Sequence, residues 1–331
     1  MVECLDFVNP DKSTVSYNPL AFIRRDKDGG YREQDVLSLA NTLCPRLDKT
    51  EAVWDLSCQD LMAFYISYCL ETEPVENQNL LRISEIHRTF SQNNGDVQFL
   101  DYIEDHPDTF ASRKYYTIKS MRTAEKMFSS IVGFVNVNLA PYEFKEARSI
   151  FGSKKKPLDI QSLGHRKTCI FLNISDTDST FTQLQTSLYT QMLQTLCGEA
   201  DKCKNGRLPI GVRIMMDDFA AGSGTAIPDF AKIISIIRSR NLSVSIMIQN
   251  LAQLESQYSK PESRTIISNC DHLLYLGSND VETANFIAAR ACKTPEYVLS
   301  MPQGKAILIT TGQKGQLVDR ILPGECVQAS A

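Results

Sequence analysis

Apolar residues follow a helical spacing in the middle of the chain. Within Trp54–Thr72 the apolar positions Cys58, Leu61 and Tyr65 recur every three or four residues, which places their side chains on one face of a helix. The same spacing, with almost no strand-like alternation, continues over residues 33–151. We therefore predict that this segment is entirely helical.

Further helices are predicted at 79–92, at 96–105 and over a longer stretch at 109–138. Pro141 ends the last one, because the residue before a proline is pushed out of the helical region. Residues 152–157, which include three lysines, form the predicted linker out of the helical segment. These lysines belong either to a solvated loop or to a contact with a phosphate backbone.

Short apolar runs that predict strands lie on both sides of the helical segment. After this segment, predicted strands alternate with stretches that have the spacing of helices. The predicted strands are 3–8, 168–174, 211–217, 242–249 and 273–276, followed by a closing hairpin of 305–311 and 316–321. Residues 168–174 are almost continuously apolar, as in a strand that is covered on both faces. The alternation predicts an α/β fold with a mainly parallel sheet and right-handed crossovers.

Polar residues mark the predicted starts of three helices in this part of the chain. Ser175 and Asp176 can cap the first helix. Pro228-Asp229 suits the first turn of the second. The third is predicted to open at Asn279, with Glu282 three residues later as in a capping box.

Composition narrows the classes of protein that fit. The 331 residues carry a net charge of −4, so no overall positive field attracts nucleic acid, and contact with DNA would need a local patch. No apolar run reaches the roughly 18 residues of a transmembrane helix. The ten cysteines are scattered without a C-x-x-C pair and only four histidines are present, which argues against a zinc site and for reduced thiols.

Polar side chains follow three predicted strands, at the end where ligands bind in parallel α/β sheets. Asp217 and Asp218 end one strand, Gln249 ends another, and Ser175–Asp178 follows a third. Carboxylates can hold Mg²⁺ and position an attacking water, while an amide or a hydroxyl can contact the terminal phosphate of ATP. Structural explanations compete with this one. The acids can mark where a strand meets solvent, the amide can satisfy a strand end, and Ser175–Asp178 can cap a helix.

Arg238 and Arg240 fall at the predicted carboxyl end of the helix beside the Asp217 strand. The helix dipole stabilises cations there, which is one explanation for both residues. The other is an arginine finger that reaches a phosphate on a neighbouring subunit and stabilises the charge that develops in phosphoryl transfer.

A phosphate-binding loop of the form G-x-x-x-x-G-K-[ST] is absent from the sequence. Neither Gly152-Ser153-Lys154 nor Gly312-Gln313-Lys314-Gly315 fits it. Because the sequence opens on a predicted strand, we expect the opening strands and helices of the fold to lie outside this chain. By itself the chain is expected to bind ATP poorly and to hydrolyse little or none.

Several motifs occur in an order that resembles one family. In chain order they are Tyr17-Asn18-Pro19-Leu20, Trp54-Asp55-Leu56-Ser57-Cys58, Arg166-Lys167-Thr168, Asp217-Asp218-Phe219, Arg238-Ser239-Arg240, Gln249-x-x-x-Gln253-Leu254-x-x-x-Tyr258 and Ser268-Asn269-Cys270-Asp271. Together they resemble the TraG/VirD-type coupling ATPases of type IV secretion and conjugation. The run from Arg166-Lys167-Thr168 into Ile174-Ser175-Asp176-Thr177-Asp178 gives most likeness to those of Gram-positive mobile elements. The likeness covers nearly the whole chain.

The resemblance implies a RecA/FtsK-like nucleotide-binding domain formed by residues 1–32 and 152–331, with residues 33–151 as an inserted all-helical domain. Members use ATP and Mg²⁺, assemble as homo-hexamers and couple ATP hydrolysis to the transfer of DNA or a relaxase–DNA complex, together with other secretion-system proteins. N-terminal membrane helices anchor them. The chain is thus expected to be cytoplasmic, and at the cytosolic face of the cell membrane where the anchor is present.

By position, the resemblance also assigns roles to the strand-end residues. Asp217 matches the acid that holds Mg²⁺ through water, and Asp218 stands where the family usually has a glutamate. This is a departure, because a side chain shorter by one methylene can misplace the water. Gln249 matches the phosphate-sensing glutamine, and Arg240, with Arg238 as second choice, matches the arginine that acts on a neighbouring subunit.

The sequence leaves two functions open. In the first, the chain is the cytosolic portion of a coupling ATPase whose missing N-terminal part supplies the phosphate loop. In the second, it is a docking module without catalysis, in which the helical domain and the incomplete sheet bind relaxase or other transfer cargo. The strand-end acids, the glutamine and the arginines favour the first function. The acidic balance and the absent loop favour the second.

Overall fold

The structure is a computed structural model, and it describes residues 1–46, 52–92, 94–151, 155–175, 177–219 and 226–320. The chain divides into two compact units. The first unit comprises Met1–Val212, Gly222–Pro228 and Ser239–Leu242. The second unit comprises Arg213–Ala221, Asp229–Arg238 and Ser243–Ala331.

Helices fill the described part of residues 33–151, where no strand occurs, so the prediction of an entirely helical segment is confirmed. They are α1 (Glu33–Leu43), α2 (Ala52–Thr72), α3 (Leu80–Phe90), α4 (Val97–Asp105), α5 (Phe110–Met121), α6 (Glu125–Leu139) and α7 (Lys145–Phe151). The central helix is α2, because α1, α3, α5 and α6 all pack against it. On α2, the fully buried Phe64 contacts the rings of Phe90, Phe99 and Tyr115.

The stretch predicted as one helical run at 109–138 is two helices, α5 and α6. The turn between them includes Ala124, whose backbone is not helical (φ −98°, ψ 72°). The guanidinium of Arg122 lies 5.0 Å from the ring centroid of Phe90 and pairs with Asp96 at 2.5 Å. These contacts hold the turn. The spacing of apolar residues continues on both sides of the turn, so the sequence pattern alone does not predict it.

Two pairs of parallel strands belong to the first unit. β1 (Val2–Asp6) and β2 (Val15–Ser16) precede the helical segment, and β3 (Lys156–Pro157) and β4 (Cys169–Asn173) follow it. β1 pairs with β4, and β2 pairs with β3. The predicted linker therefore ends in a strand, while its residues 152–154 lie outside the described residues.

β4 is not covered on both faces, contrary to the prediction from its apolar run. Phe171 is 60% exposed, and Cys169 and Asn173 are exposed as well. In the part of the chain that the structure describes, β4 pairs with β1 alone, so it lies at the edge of a two-stranded sheet. An apolar run shows that a strand can be buried, but not whether a neighbour is present to bury it.

The helix after β4 is α8 (Thr182–Lys202), and the predicted cap for it is wrong. The helix begins directly after Phe181, with no capping side chain. Ser175 instead makes a local turn, in which its hydroxyl oxygen accepts the backbone N–H of Asp178 at 3.0 Å. Asp176, the other predicted capping residue, lies outside the described residues.

The helical segment is not separated from the strands around it in the first unit. There, α1 packs against α8, and α7 packs against β2. The division into a nucleotide-binding domain of residues 1–32 and 152–331 and an inserted helical domain of residues 33–151 stays a prediction. None of the described helices combines the length and the apolar composition that crossing a membrane requires.

The remaining elements continue the predicted alternation of strands and helices. They are β5 (Val212–Met216), α9 (Phe230–Ile236), β6 (Leu242–Ile246), α10 (Leu251–Gln257), α11 (Lys260–Ser268), β7 (His272–Tyr275), α12 (Val281–Ala291), α13 (Pro295–Leu299), β8 (Lys305–Thr310) and β9 (Gln316–Asp319). Two helices rather than one follow β6, and two follow β7. β5 and β6 are parallel, since the N–H of Val212 donates to the carbonyl of Asn241 and the N–H of Met247 donates to the carbonyl of Met216. β7, β8 and β9 form an antiparallel sheet that includes the predicted hairpin.

One face of the antiparallel sheet packs against α12. The buried cluster that the sheet forms with α12 and with Val298 of α13 consists of Tyr275, Ala284, Ile287, Ala288, Ala291, Val298, Ile307 and Ile309. The helix is capped by Asp280 rather than by the predicted Asn279, because a carboxylate oxygen of Asp280 accepts the N–H of Thr283 at 2.8 Å. The Thr283 hydroxyl and N–H lower the pKa of the Asp280 carboxyl by hydrogen bonding to it.

Candidate functional site

Two exposed carboxylates follow the carboxyl end of β5. Ile214 and Met216 are buried and alternate with exposed neighbours, so one face of the strand is fixed to the core. Asp217 and Asp218 come directly after the strand, and both are exposed. This is the edge of a parallel sheet at which ligands bind.

Asp218 has a left-handed backbone, with φ at 46°. The N–H of Phe219, rather than that of Asp218, donates to the carbonyl of Met247 at 2.8 Å, so Asp218 is an extra residue in the β5–β6 pairing. Its own N–H donates to Oδ1 of Asp217 at 3.0 Å. Aspartate is one of the few residues other than glycine that adopt this conformation readily. The sequence therefore suits a bulge at this position.

Gln249 lies beside Asp218, as the sequence predicts for residues at one sheet edge. Its Nε2 donates to Oδ1 of Asp218 at 3.4 Å. Gln249 follows β6, and the next residue, Asn250, caps α10 by accepting the N–H of Gln253 at 2.9 Å. The structure thus brings together a carboxylate and an amide from the segments that follow two neighbouring parallel strands.

Gln253 also belongs to this group, although the sequence alone assigned it no role. Its Oε1 accepts the backbone N–H of Gln249, and its Nε2 donates to Oε1 of Gln249, both at 3.2 Å. The spacing of four residues was the available signal, because a side chain in the first turn of a helix can reach back to the chain before it.

Three aromatic rings pack next to the two acids and support the turn that carries them. The centroid of the Phe219 ring lies 5.1 Å from that of Phe230, and Phe219 also stacks on Tyr258. Phe230 and Tyr258 are buried. The rings anchor the residue that directly follows Asp218.

Both predicted arginines lie after α9 rather than within it, on a 3₁₀ turn (Ile237–Arg240). In the second unit, the Arg238 side chain is 86% exposed, and its ion pair with Asp271 is long at 3.6 Å. In the first unit, the Arg240 side chain is 23% exposed and pairs with Asp201 at 3.0 Å. Arg238 is therefore the more accessible of the two cations.

The other candidates from the sequence lie in the first unit and bond to their own surroundings. Asp178 accepts the hydroxyl and the N–H of Thr180, and these hydrogen bonds lower the pKa of Asp178. Lys155 donates to a backbone carbonyl at 2.6 Å, and Lys156 pairs with Glu3 at 2.8 Å. The described lysines of the linker thus make internal contacts, which favours the structural explanation for them.

Asp217 and Asp218 fit Mg²⁺ better than a metal that needs a closed set of ligands. Mg²⁺ is usually held by one or two carboxylates together with water and substrate phosphates. The described residues contain no group of three or more His, Cys, Asp or Glu side chains that could enclose a metal ion. An open site, completed by water and phosphate, is the arrangement these two acids can form.

Comparison with known proteins identifies the family. The family described as Type IV secretory system Conjugative DNA transfer matches residues 1–293. Among solved structures, the chain is similar to the bacterial conjugative coupling protein TrwBdeltaN70, with 14% identity and a TM-score of 0.68 over 96% of this chain and 73% of that one. TrwB in complex with ADP and Mg²⁺ is similar over the same shares of both chains, with 13% identity and a TM-score of 0.68.

VirB4 of Thermoanaerobacter pseudethanolicus is also similar, with 10% identity and a TM-score of 0.53 over 98% of this chain and 77% of that one. A search of curated proteins gave no match. The structural similarity confirms the predicted fold class, an α/β RecA-like core with a helical part. Because the family match extends over most of the sequence, the chain belongs to the type IV secretory system family of conjugative DNA transfer proteins.

Proposed function

We propose that this chain, as a type IV secretion coupling protein, supplies the metal-binding and phosphate-sensing side of an ATP site. The supporting observation is the 3.4 Å contact between Gln249 and Asp218 at the ends of neighbouring parallel strands. A carboxylate and an amide at this edge are the groups that contact Mg²⁺, the attacking water and the terminal phosphate in nucleotide hydrolysis.

Each residue has a separate task in this proposal. ATP, when bound, would supply the phosphoryl group, and its Mg²⁺ would neutralise part of the phosphate charge. Asp217 holds Mg²⁺ through water, Asp218 orients the attacking water, and Gln249 contacts the terminal phosphate. Asp218 is one methylene shorter than the usual glutamate. Its place in the β5–β6 bulge changes the position of the backbone from which its side chain extends.

Arg238 is the better candidate for the arginine that acts on a neighbouring subunit. Its side chain is 86% exposed, so it can extend toward a second copy of the chain without losing a close ion pair. The sequence favoured Arg240, but the 3.0 Å pair with Asp201 ties that side chain to α8 of its own chain. Arg240 is therefore the second choice.

Further properties follow from the family resemblance. We propose that a segment outside this sequence supplies the phosphate loop, and that the assembled protein is a homo-hexamer at the cytosolic face of the membrane. Its cargo is DNA or a relaxase–DNA complex, passed on with other secretion-system proteins of a Gram-positive mobile element. TrwB structures in complex with ADP and Mg²⁺ and with an ATP analogue support the nucleotide part of the proposal.

Calorimetric titration with Mg-ATP tests the proposal. Alone, the chain should bind no more tightly than a Kd of about 1 mM, which is about −4 kcal/mol. Joined to an N-terminal segment that carries G-x-x-x-x-G-K-[ST], it should hydrolyse ATP. Asp218→Asn should then abolish hydrolysis, whereas Asp319→Asn, at an exposed acid of β9, should not. Micromolar binding by the chain alone would contradict the need for the loop.

A docking module is the second candidate, and the surface of α6 favours it. Phe134 and Val137 on this helix are 49% and 68% exposed. Exposed apolar side chains of this kind mark protein-binding surfaces when they lie together. Relaxase binding that is lost in Phe134→Ser and unchanged by Mg-ATP or by Asp218→Asn would support docking without catalysis.

A further inference from the structure

The exposed side chain of Gln249 needs a restraint if it is to sense a phosphate. A glutamine has staggered positions about its first two side-chain torsions and a broad range about the third, so a free one samples many orientations. Its two amide atoms differ in chemistry, since only the NH₂ group can donate to a carboxylate. Sensing therefore depends on which way the amide points and how firmly it is held.

Gln253 holds both the backbone and the side chain of Gln249. The carboxylate of Asp218 can only accept, so Nε2 of Gln249 faces it. Oε1 of Gln249 is then left to accept from Nε2 of Gln253, and Oε1 of Gln253 accepts the backbone N–H of Gln249. One orientation of each amide satisfies all three hydrogen bonds.

Capping of α10 explains only part of this arrangement. In a capping box, the third helical residue accepts the N–H of the cap residue itself. Here the third residue, Gln253, accepts from the residue before the cap, Gln249, while Asn250 fills the cap position. The bond from Gln253 to Oε1 of Gln249 satisfies no backbone group at the helix end, so it acts on the side chain alone.

The start of α10 is itself held by α12. The N–H of Leu251 donates to the hydroxyl oxygen of Thr283 at 3.2 Å, and that hydroxyl donates to Asp280 at 2.5 Å. Thr283 is buried, and Gln253 is half-buried. Gln253 therefore projects from a fixed helix start, whereas Gln249 and Asp218 are both exposed and have less packing to order them.

We infer that Gln253 is a positioning residue that holds the amide of Gln249 against Asp218, so that the two groups meet a metal-bound phosphate as one unit. This inference rests on the proposed function for its purpose, but the restraint itself is a property of the chain without ligand. The conservative change Gln253→Glu separates the two bonds, because a carboxylate still accepts the N–H of Gln249 but cannot donate to its Oε1.

Nuclear magnetic resonance of the whole chain, labelled with ¹⁵N in the glutamine side chains, tests the restraint without metal. The Gln249 signal is identified by its disappearance in Gln249→Ala. In the native chain its NH₂ group should be rigid, with an order parameter of about 0.8, and in Gln253→Ala the order parameter should fall below about 0.6. Gln253→Glu should give an intermediate value, and Gln257→Ala, one turn later on α10, should leave it unchanged.

Equal rigidity of the Gln249 NH₂ group in the native chain and in both Gln253 variants would overturn the inference. Circular dichroism of each variant checks that α10 and the rest of the fold are retained. Because Gln253→Glu keeps the backbone contact, a loss of rigidity in that variant assigns the effect to the side-chain bond.

Titration with Mn²⁺, a paramagnetic substitute for Mg²⁺, tests the proposed metal site separately. Mn²⁺ should broaden the Gln249 NH₂ signal in the native chain. In Gln253→Ala one side-chain torsion of Gln249 becomes free, so the NH₂ group should occupy the position near the metal in about one of three staggered conformations, and the broadening should be about three-fold smaller. A rigid NH₂ group with no broadening by Mn²⁺ would overturn the metal site while keeping the restraint. Equal broadening in the native chain and in Gln253→Ala would overturn the positioning role.

Discussion

The ring of Phe219 stacks on the ring of Tyr258, with centroids 5.9 Å apart and planes at 18°. Phe219 directly follows Asp218, so the stack fixes the chain where the second carboxylate leaves the sheet. Tyr258 ends the segment 249–258, and Gln249 begins it. A single segment thus contacts the acidic turn twice, through an amide and through an aromatic ring.

Replacement of Tyr258 should destabilise this unit of the chain. Tyr258 is 4% exposed, and Tyr258→Ala should lower the free energy of unfolding by about 3 kcal/mol through lost burial and the cavity it leaves. Tyr258→Phe keeps the stacked ring and should cost about 1 kcal/mol or less. Urea denaturation measures both. Tyr297→Ala, at a ring that is 39% exposed, is the matched control. Equal losses at the two tyrosines would show that the stack carries no stability.

The contact between Asp218 and Gln249 could be predicted because the geometry of parallel strands is general. Residues that end neighbouring strands reach one edge, whatever the side chains between them. The helical segment could also be predicted, since its core positions recur with the helical period from α2 onward. The family assignment is confirmed, whereas the Gram-positive branch and the roles of the site residues stay predictions.

The details that the sequence missed depend on pairings between distant or competing groups. The bulge at Asp218 is set by the Met247 carbonyl, which bonds Phe219 instead. The partner of Arg240 is Asp201, which lies 39 residues earlier and belongs to another helix. Asn279 and Asp280 are both of a type that can cap a helix, and Asp280 is the one whose carboxylate accepts the N–H of Thr283.

Replacement of Arg238 and replacement of Arg240 should have different effects on the free energy of unfolding and on the ATPase rate. Arg238→Ala should change the free energy of unfolding by no more than about 0.5 kcal/mol, because its side chain is exposed. In protein joined to a phosphate loop, it should lower the ATPase rate about 10³-fold, the effect of losing an arginine finger. Urea denaturation and a phosphate-release assay measure the two quantities.

Arg240→Ala is the control for this assignment. It removes the ion pair with Asp201, which by itself contributes about 1 kcal/mol or less because Asp201 is largely exposed. Hydrolysis by the assembled protein should be retained. A large loss of ATPase activity in Arg240→Ala with none in Arg238→Ala would restore the assignment that the sequence favoured.

Buried His87 makes the stability of the helical segment depend on pH. The ring lies on α3, with Nδ1 3.1 Å from the hydroxyl of Tyr65. Burial lowers the pKa of His87 to about 4, because desolvation disfavours the charged imidazolium. The unfolded chain has a histidine pKa of about 6.5 and so binds more protons between pH 6.5 and 4. Stability is therefore lost as the pH falls through this window.

Replacement of His87 should flatten this part of the pH profile. From the difference between the native and unfolded pKa values, His87 should lower the free energy of unfolding by up to about 3 kcal/mol as the pH falls from 6.5 to 4. His87→Gln should remove this slope, while His106→Gln, at an exposed ring, should keep it. Urea denaturation at a series of pH values compares the slopes. The same slope in the native chain and in His87→Gln would rule out His87 as its source.

Two glycines with opposite surroundings test the packing of the closing hairpin. A Cβ added to Gly315 would lie 2.6 Å from Cβ and 2.8 Å from Cα of Ala291, at the end of α12. A Cβ added to Gly133, within α6, would meet no atom within 4 Å. Gly315→Ala should therefore cost about 1–3 kcal/mol through overpacking. Gly133→Ala should instead stabilise the chain by about 0.5–1 kcal/mol, because alanine loses less backbone entropy in a helix.

The double variant Gly315→Ala/Ala291→Gly identifies the cause of the cost at Gly315. Removing the Cβ of Ala291 relieves the 2.6 Å contact, while glycine near the helix end costs about 1 kcal/mol by itself. If the hairpin packs on α12, the double variant should be more stable than the sum of the two single changes predicts, as neighbours in contact show. Thermal and urea unfolding measure the coupling. Simple additivity, with Gly315→Ala no worse than Gly133→Ala, would mean that the loop between β8 and β9 does not rest on this helix.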